Sequence, residues 1–373
     1  MNSTSNSASI SCFPQELIDK VIEDIETDVD ILPVTLRACA LVCRSFLRAS
    51  QIRIFSRIEL DSYYPARYVR LHQVLLESPH IRLYIHSVEI VHDAYNWGAN
   101  TPILISIFGM LHMLTSFVCR NLEWSKLPRA MRTAICALCA RPGIVSLRLV
   151  QLWDFTEMDE LVALAGSSTL KYLVLEDTLL PALNGGATGV RSSMIGSAFA
   201  HLRRLVLVCS PRTISQVQKI LDASASSLEE LKLRMEETSV SEFPSNQDTL
   251  VLEHMRALRF IQLMFFMWPE ESVVVMPWLA ALLQGPTGLA EIVLLMRLWD
   301  TPNHPIPQIA WEPLAVMQLP SVRRLSIKIA MPRRSFEQIF QAIIDHAERE
   351  LQRLQRNGVC LNFGVWDRTS GFG

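Results

Sequence analysis

Residues 202–233 read LRRLVLVCSPRTISQVQKILDASASSLEELKL. A short apolar pattern occurs twice in this stretch, at Leu202/Leu205/Leu207 and at Leu228/Leu231/Leu233. Its form is apolar-x-x-apolar-x-apolar, and its last three places alternate as one face of a strand does. Between the two copies, Ile214 to Ala225 reads as a helix. A strand followed by a helix, then the strand again, buries its apolar face only by stacking on neighbouring copies.

The pattern continues in both directions. Upstream it occurs at Phe55/Ile58/Leu60, Ile85/Val88/Ile90, Leu114/Phe117/Cys119, Ile144/Leu147/Leu149 and Leu170/Leu173/Leu175. Downstream it occurs at Leu258/Ile261/Leu263, Leu289/Ile292/Leu294 and Val322/Leu325/Ile327. The copies begin at 55, 85, 114, 144, 170, 202, 228, 258, 289 and 322, a period of about 30 residues. Helical stretches follow several of them, as at Ala130 to Ala140 and Glu157 to Ala165. Punctuation by Gly, Pro and Ser falls between, as at Arg141-Pro142-Gly143 and Gly285-Pro286-Thr287-Gly288. The expected fold is therefore α/β: a solenoid, or horseshoe, of about ten irregular repeats over 58–373, with parallel strands inside and helices outside. The amphipathic stretch 335–355 is expected to be a helix capping its end.

Composition is consistent with one large core. Half of the 373 residues are hydrophobic, yet no apolar run approaches the ~20 residues that span a bilayer. Ser272 to Leu283 comes nearest and contains Pro277. With 35 basic and 37 acidic residues, bulk electrostatics do not drive binding to nucleic acid or a membrane surface. Residues 1–11 (MNSTSNSASIS) form a polar tail without the charged and apolar regions of a signal peptide. The eight cysteines lie mostly in apolar stretches, as buried free thiols of an intracellular protein do.

Ahead of the repeats, residues 12–57 form a separate helical segment. Pro14 opens a helix with Glu16 in its first turn and Leu17, Ile18, Val21, Ile22 and Ile25 at helical spacing. A second apolar stripe follows at Leu36, Cys39, Ala40, Cys43, Phe46 and Leu47. Two such stripes exceed what a core of under fifty residues can use, so a partner or the following repeats must cover the remainder. A plain helical cap on the repeats is the simplest reading of periodicity alone.

Particular residues in order say more. Phe13-Pro14-x-Glu16-Leu17-x-x-x-Val21-Ile22, then Leu36-x-x-Cys39-x-Leu41-Val42-Cys43-Arg44-Ser45-Phe46, then Ile54-Phe55, resembles the F-box motif. Phe13 stands where that family usually has Leu, and Phe46 where it usually has Trp. The resemblance implies a three-helix module that docks a Skp-type adaptor of a cullin-RING ubiquitin ligase. It implies contact through Phe13, Pro14, Leu17, Ile18, Val21, Leu41, Val42 and Phe46. The repeats resemble leucine-rich repeats of the longer, helix-bearing kind. The Asn or Cys that usually closes the turn in those repeats is replaced by Leu152, Thr178, Ser210 and Glu236. Together the two resemblances imply a substrate receptor in which the repeats hold a protein substrate. The alternative is an interaction scaffold whose helices only cap the repeats.

No catalytic constellation stands out, so no enzymatic activity and no cofactor or metal is expected. Cys136-x-x-Cys139 has the spacing of a redox or zinc pair but lacks a second pair or nearby histidines. Gly185-Gly186-Ala187-Thr188-Gly189 lacks the Lys-Ser/Thr of a phosphate-binding loop. His80, His86 and His92 straddle a strand and its turns. Recognition is expected on the sheet face away from the helices, through Arg148, Tyr172, Arg204, Lys232, Phe260 and Gln262, with Tyr172 and Phe260 as large anchors. Val359 to Phe363 (VCLNF) is a candidate to cover part of that face.

Overall fold

The structure is a computed structural model that describes residues 14–25, 32–91, 100–153, 158–178, 192–210, 213–235, 250–267, 271–298, 309–330 and 336–366. Among these, no helix is long and apolar enough to cross a membrane. The chain divides into two units, Met1–Arg120 with Lys126–Leu138, and Asn121–Ser125 with Cys139–Gly373. Both are α/β and solenoid-like.

The first unit begins with α1 (Gln15–Asp24), α2 (Leu32–Ala40) and α3 (Arg44–Phe55). It continues through β1 (Arg57–Asp61), α4 (Pro65–Glu77), β2 (Ser87–Val91), α5 (Thr101–Met110), β3 (Ser116–Glu123) and α6 (Arg129–Cys139). Strands β1, β2 and β3 are parallel, and the repeat pattern sets their register. Ile58, Val88 and Phe117 lie side by side, as do Leu60, Ile90 and Cys119. All six are buried, and Phe117 meets Phe108 of α5 edge-on at 6.5 Å. Burial in this apolar layer pushes the Cys119 thiol far up, which makes it an inert core residue.

The opposite face of β2 carries Glu89, only 3 % exposed. Its carboxylate accepts from Arg57 on β1 and, at 2.9 Å, from Arg120 on β3. Burial alone raises a carboxyl pKa, but the two guanidinium groups outweigh it and hold Glu89 below the usual glutamate value. The bridge therefore contributes fully above the ordinary glutamate range and is lost as pH falls through the lowered folded value. Glu89→Gln is expected to cost about 1–3 kcal/mol at neutral pH, discounted because both arginines are solvated, and less in acid. Urea melts of both chains from neutral to acid pH check this, since the two curves should converge.

The second unit contains β4 (Ser146–Trp153), α7 (Met158–Leu164), β5 (Tyr172–Glu176), α8 (Ser192–Phe199), β6 (Arg204–Cys209), α9 (Ile214–Ser224) and β7 (Glu230–Met235). It goes on through β8 (Phe260–Met267), α10 (Ser272–Gln284), β9 (Glu291–Leu298), α11 (Glu312–Ala315), β10 (Arg324–Ala330), α12 (Phe336–Arg356) and β11 (Cys360–Val365). Its strands pair in parallel in chain order. Leu147, Leu173, Leu205, Leu231, Ile261, Ile292, Leu325 and Leu361 form one continuous row. All but Leu361 are at most 3 % exposed. Helix α10 runs through Pro277 without ending.

Two expectations change at the end of the chain. The helix over 336–356 does not close the array, because β11 follows it and pairs with β10. VCLNF therefore extends the sheet instead of covering its face. The strand escaped the repeat pattern because register puts Gly358, at φ +88°, next to the pattern's first place, Val322.

At three of the four places where a turn asparagine is missing, other groups close the turn; Glu236 lies outside the described residues. Thr178 is buried, its Oγ1 accepts from the Leu152 amide at 3.1 Å, and it donates toward the carbonyl oxygens of Leu149 and Glu176, each at 3.2 Å. One hydroxyl thus serves two repeats. At the other end of the strands, buried Ser167 Oγ donates to the carbonyls of Arg141 and Ile144, both at 3.0 Å. Ser210 is closed locally, its amide donating to Thr213 Oγ1 at 3.0 Å.

Candidate functional site

In the helical module, neighbouring residues on one helix separate inside from outside. Successive residues of a helix are about 100° apart, so Ile18 and Ile22 can face inward while Leu17 and Val21 face out. Ile18, Ile22, Leu36 and Ala49 form a buried core, with Ile25, Cys39, Phe46 and Ile54 packed against it. Leu17 and Val21 are 53 % and 54 % exposed. Leu41 and Val42 sit in the turn after α2, at 87 % and 52 %. Pro14 is exposed and precedes the first helical residue, with its carbonyl accepting from the Leu17 amide at 3.1 Å.

Five of the eight sequence-predicted adaptor residues are thus on the surface: Pro14, Leu17, Val21, Leu41 and Val42. Ile18 is a correction, since at 2 % exposure it belongs to the module's own core. Phe46 is half-buried against that core. Phe13 lies outside the described residues. Sequence reading missed a groove beside Leu41, about 960 Å³ in volume, lined by Leu47 and Phe55 of α3 and Leu71 and Val74 of α4. Nothing in either helix alone signals it, because the groove exists only once α3 and α4 are packed.

In the second unit, the six predicted substrate residues fall into two adjacent register rows on one sheet face. Tyr172, Arg204 and Phe260 share a row with Glu230. Arg148, Lys232 and Gln262 share the next with Val174 and Val206. Tyr172 is 41 % exposed, whereas Phe260 and Gln262 are half-buried. The charges pair across strands: Arg148 donates to Glu176 at 2.7 Å, and Arg204 lies 3.4 Å from Glu230. Lys232 is 3.8 Å from Glu230 and 12 % exposed. Burial and the charge of Arg204 lower its pKa, opposed by Glu230.

This face is less open than its alternation predicts. Val206, Met264, Phe266 and Leu295 are buried as a second cluster, with Val174, Val293 and Trp366 packed on it. Arg234 and Arg297 lie over the Phe266 ring at 5.3 and 5.5 Å, and Arg234 also reaches Asp177 at 2.5 Å. Asp177 has a left-handed backbone, φ 49°, as do Asn121 and Gln151 at the matching place two repeats and one repeat earlier. Trp366 was missed; counting alternate residues from Cys360 through Asn362 and Gly364 would have found it.

Among the described residues, no group of His, Cys, Asp and Glu could hold a metal ion. No family model matches the chain, and no curated protein matches it in sequence. It is similar to a chain in the crystal structure of the Rad7 and Elc1 complex in yeast, at 10 % identity and a TM-score of 0.36, over 88 % of this chain and 78 % of that one. A likeness this distant carries no argument for function.

Proposed function

We propose that the chain is the substrate-recognition subunit of a cullin-RING, SCF-type ubiquitin ligase inside the cell. The helical module docks a Skp-type adaptor, and the sheet face of the second unit holds the protein to be modified. The reading rests on one observation. The module has a complete core of its own, yet Leu17, Val21, Leu41 and Val42 are each more than half exposed. Large exposed apolar side chains grouped on one small module mark an interaction surface. These four come from the residues that resemble the F-box motif. The chain itself makes and breaks no bond; it raises the rate of another protein's chemistry by holding the substrate near it.

The test is direct. Purified intact chain and purified Skp-type adaptor are mixed and run on a sizing column. A stoichiometric complex is expected. No complex, where a known F-box protein forms one, overturns the proposal and leaves an interaction scaffold whose helices cap the repeats.

A further inference from the structure

The second unit has a pocket of about 730 Å³ at the edge where its strands begin. Arg256, Arg259 and Arg323 line it. All three are exposed, and none forms an ion pair with any described residue. The lining's one carboxylate, Glu229, lies 3.7 Å from Arg203 and one strand from Arg259, whose amide donates to its carbonyl at 2.9 Å, so it offsets part of the pocket's positive charge and leaves the rest.

Register builds this pocket. Arg259, Ala290 and Arg323 each directly precede a strand, β8, β9 and β10. Backbone bonds lock them in line: the Ala290 amide donates to the Arg259 carbonyl at 2.9 Å, and the Arg323 amide to the Ala290 carbonyl at 2.8 Å. Parallel strands lie about 4.8 Å apart, so the two arginines start about 10 Å from each other, across a methyl group. Gly288 lies under Arg256, where an added Cβ would stand 2.9 Å from the Arg256 carbonyl oxygen.

Three guanidinium groups against one carboxylate leave the pocket with a net positive charge. A compact dianion with several acceptor oxygens balances that charge and engages more than one guanidinium fork at once. A single carboxylate, with one charge and two oxygens, does so less well. From this arrangement we infer that the pocket binds a phosphate group, carried by a protein segment or by a free phosphate compound. This inference does not depend on adaptor docking, which uses the other unit.

Calorimetric titration of the intact chain tests it, with three probes: a short phosphoserine peptide, its unphosphorylated twin, and inorganic phosphate. Binding is expected for the phosphorylated peptide and not for its twin, against chloride at matched ionic strength. Arg259→Ala/Arg323→Ala should weaken it by at least about ten-fold, and Arg259→Lys/Arg323→Lys by less, since Lys keeps the charge but not the fork. Both variants should retain the wild-type circular dichroism and adaptor binding. Tighter binding of the peptide than of inorganic phosphate assigns the group to a protein; the reverse assigns it to a free compound. Absence of phosphate-dependent binding, or equal binding by the alanine variant, overturns the inference.

Discussion

Leu17→Asp/Leu41→Asp is expected to weaken capture of a Skp-type adaptor by more than about a hundred-fold while the chain unfolds as the wild type does. Both leucines are exposed, at 53 % and 87 %, so in the free chain each new carboxylate stays in water and costs little. In a docked complex the same carboxylates would be buried against apolar surface without a partner. Each such burial costs several kcal/mol, and about 1.4 kcal/mol is already ten-fold in affinity. Ile18→Asp is the contrasting control. Ile18 is 2 % exposed among Ile22, Leu36 and Ala49, so this change should unfold the module itself. Adaptor pull-down beside thermal melts separates the two effects. If the double variant binds as well as the wild type, the Leu17 and Leu41 surface is not the docking surface.

Thr178→Val is expected to destabilise the second unit by about 2–4 kcal/mol, and Thr178→Ser by much less. Valine matches threonine in shape, so packing hardly changes. What disappears is the hydroxyl that accepts from the Leu152 amide and donates toward the Leu149 and Glu176 carbonyls. Thr178 and Leu152 are 1 % and 2 % exposed, so no water replaces it. A buried amide left unpaired costs about 1–3 kcal/mol, and the Leu149 carbonyl adds to that. Serine retains the hydroxyl and loses one methyl. Guanidinium melts of the three proteins decide this; equal midpoints for Val and wild type would mean the bond contributes nothing.

Thr178 also shows where sequence reading stops. The repeat itself was legible, because each strand carries its own apolar alternation and the period puts like beside like. The turn closure was not, since it joins residues 26 positions apart, Leu152 and Thr178, through a hydroxyl that composition does not single out. In the helical module, the existence of two apolar stripes was legible. Which of Leu17 and Ile18 faces inward was not, because that depends on how α2 and α3 pack against α1. That the six residues share one sheet face was legible from alternation, but how far that face is buried was not, since Phe266 and Trp366 come from positions beyond the pattern. The arginine pocket joins residues preceding five different strands, β7 to β11, and only the register brings them together.

Trp366 has a further use. Among the tryptophans with described side chains, Trp124, Trp278 and Trp311 are buried, whereas Trp366 is half-buried on the sheet face beside Met264 and Phe266. Indole emission follows the polarity around the ring. A protein settling on that face would change what surrounds Trp366 while Trp124, Trp278 and Trp311 stay as they are. Subtracting the emission of a Trp366→Phe chain isolates this ring's response, which makes it an optical sensor of occupancy that needs no attached dye.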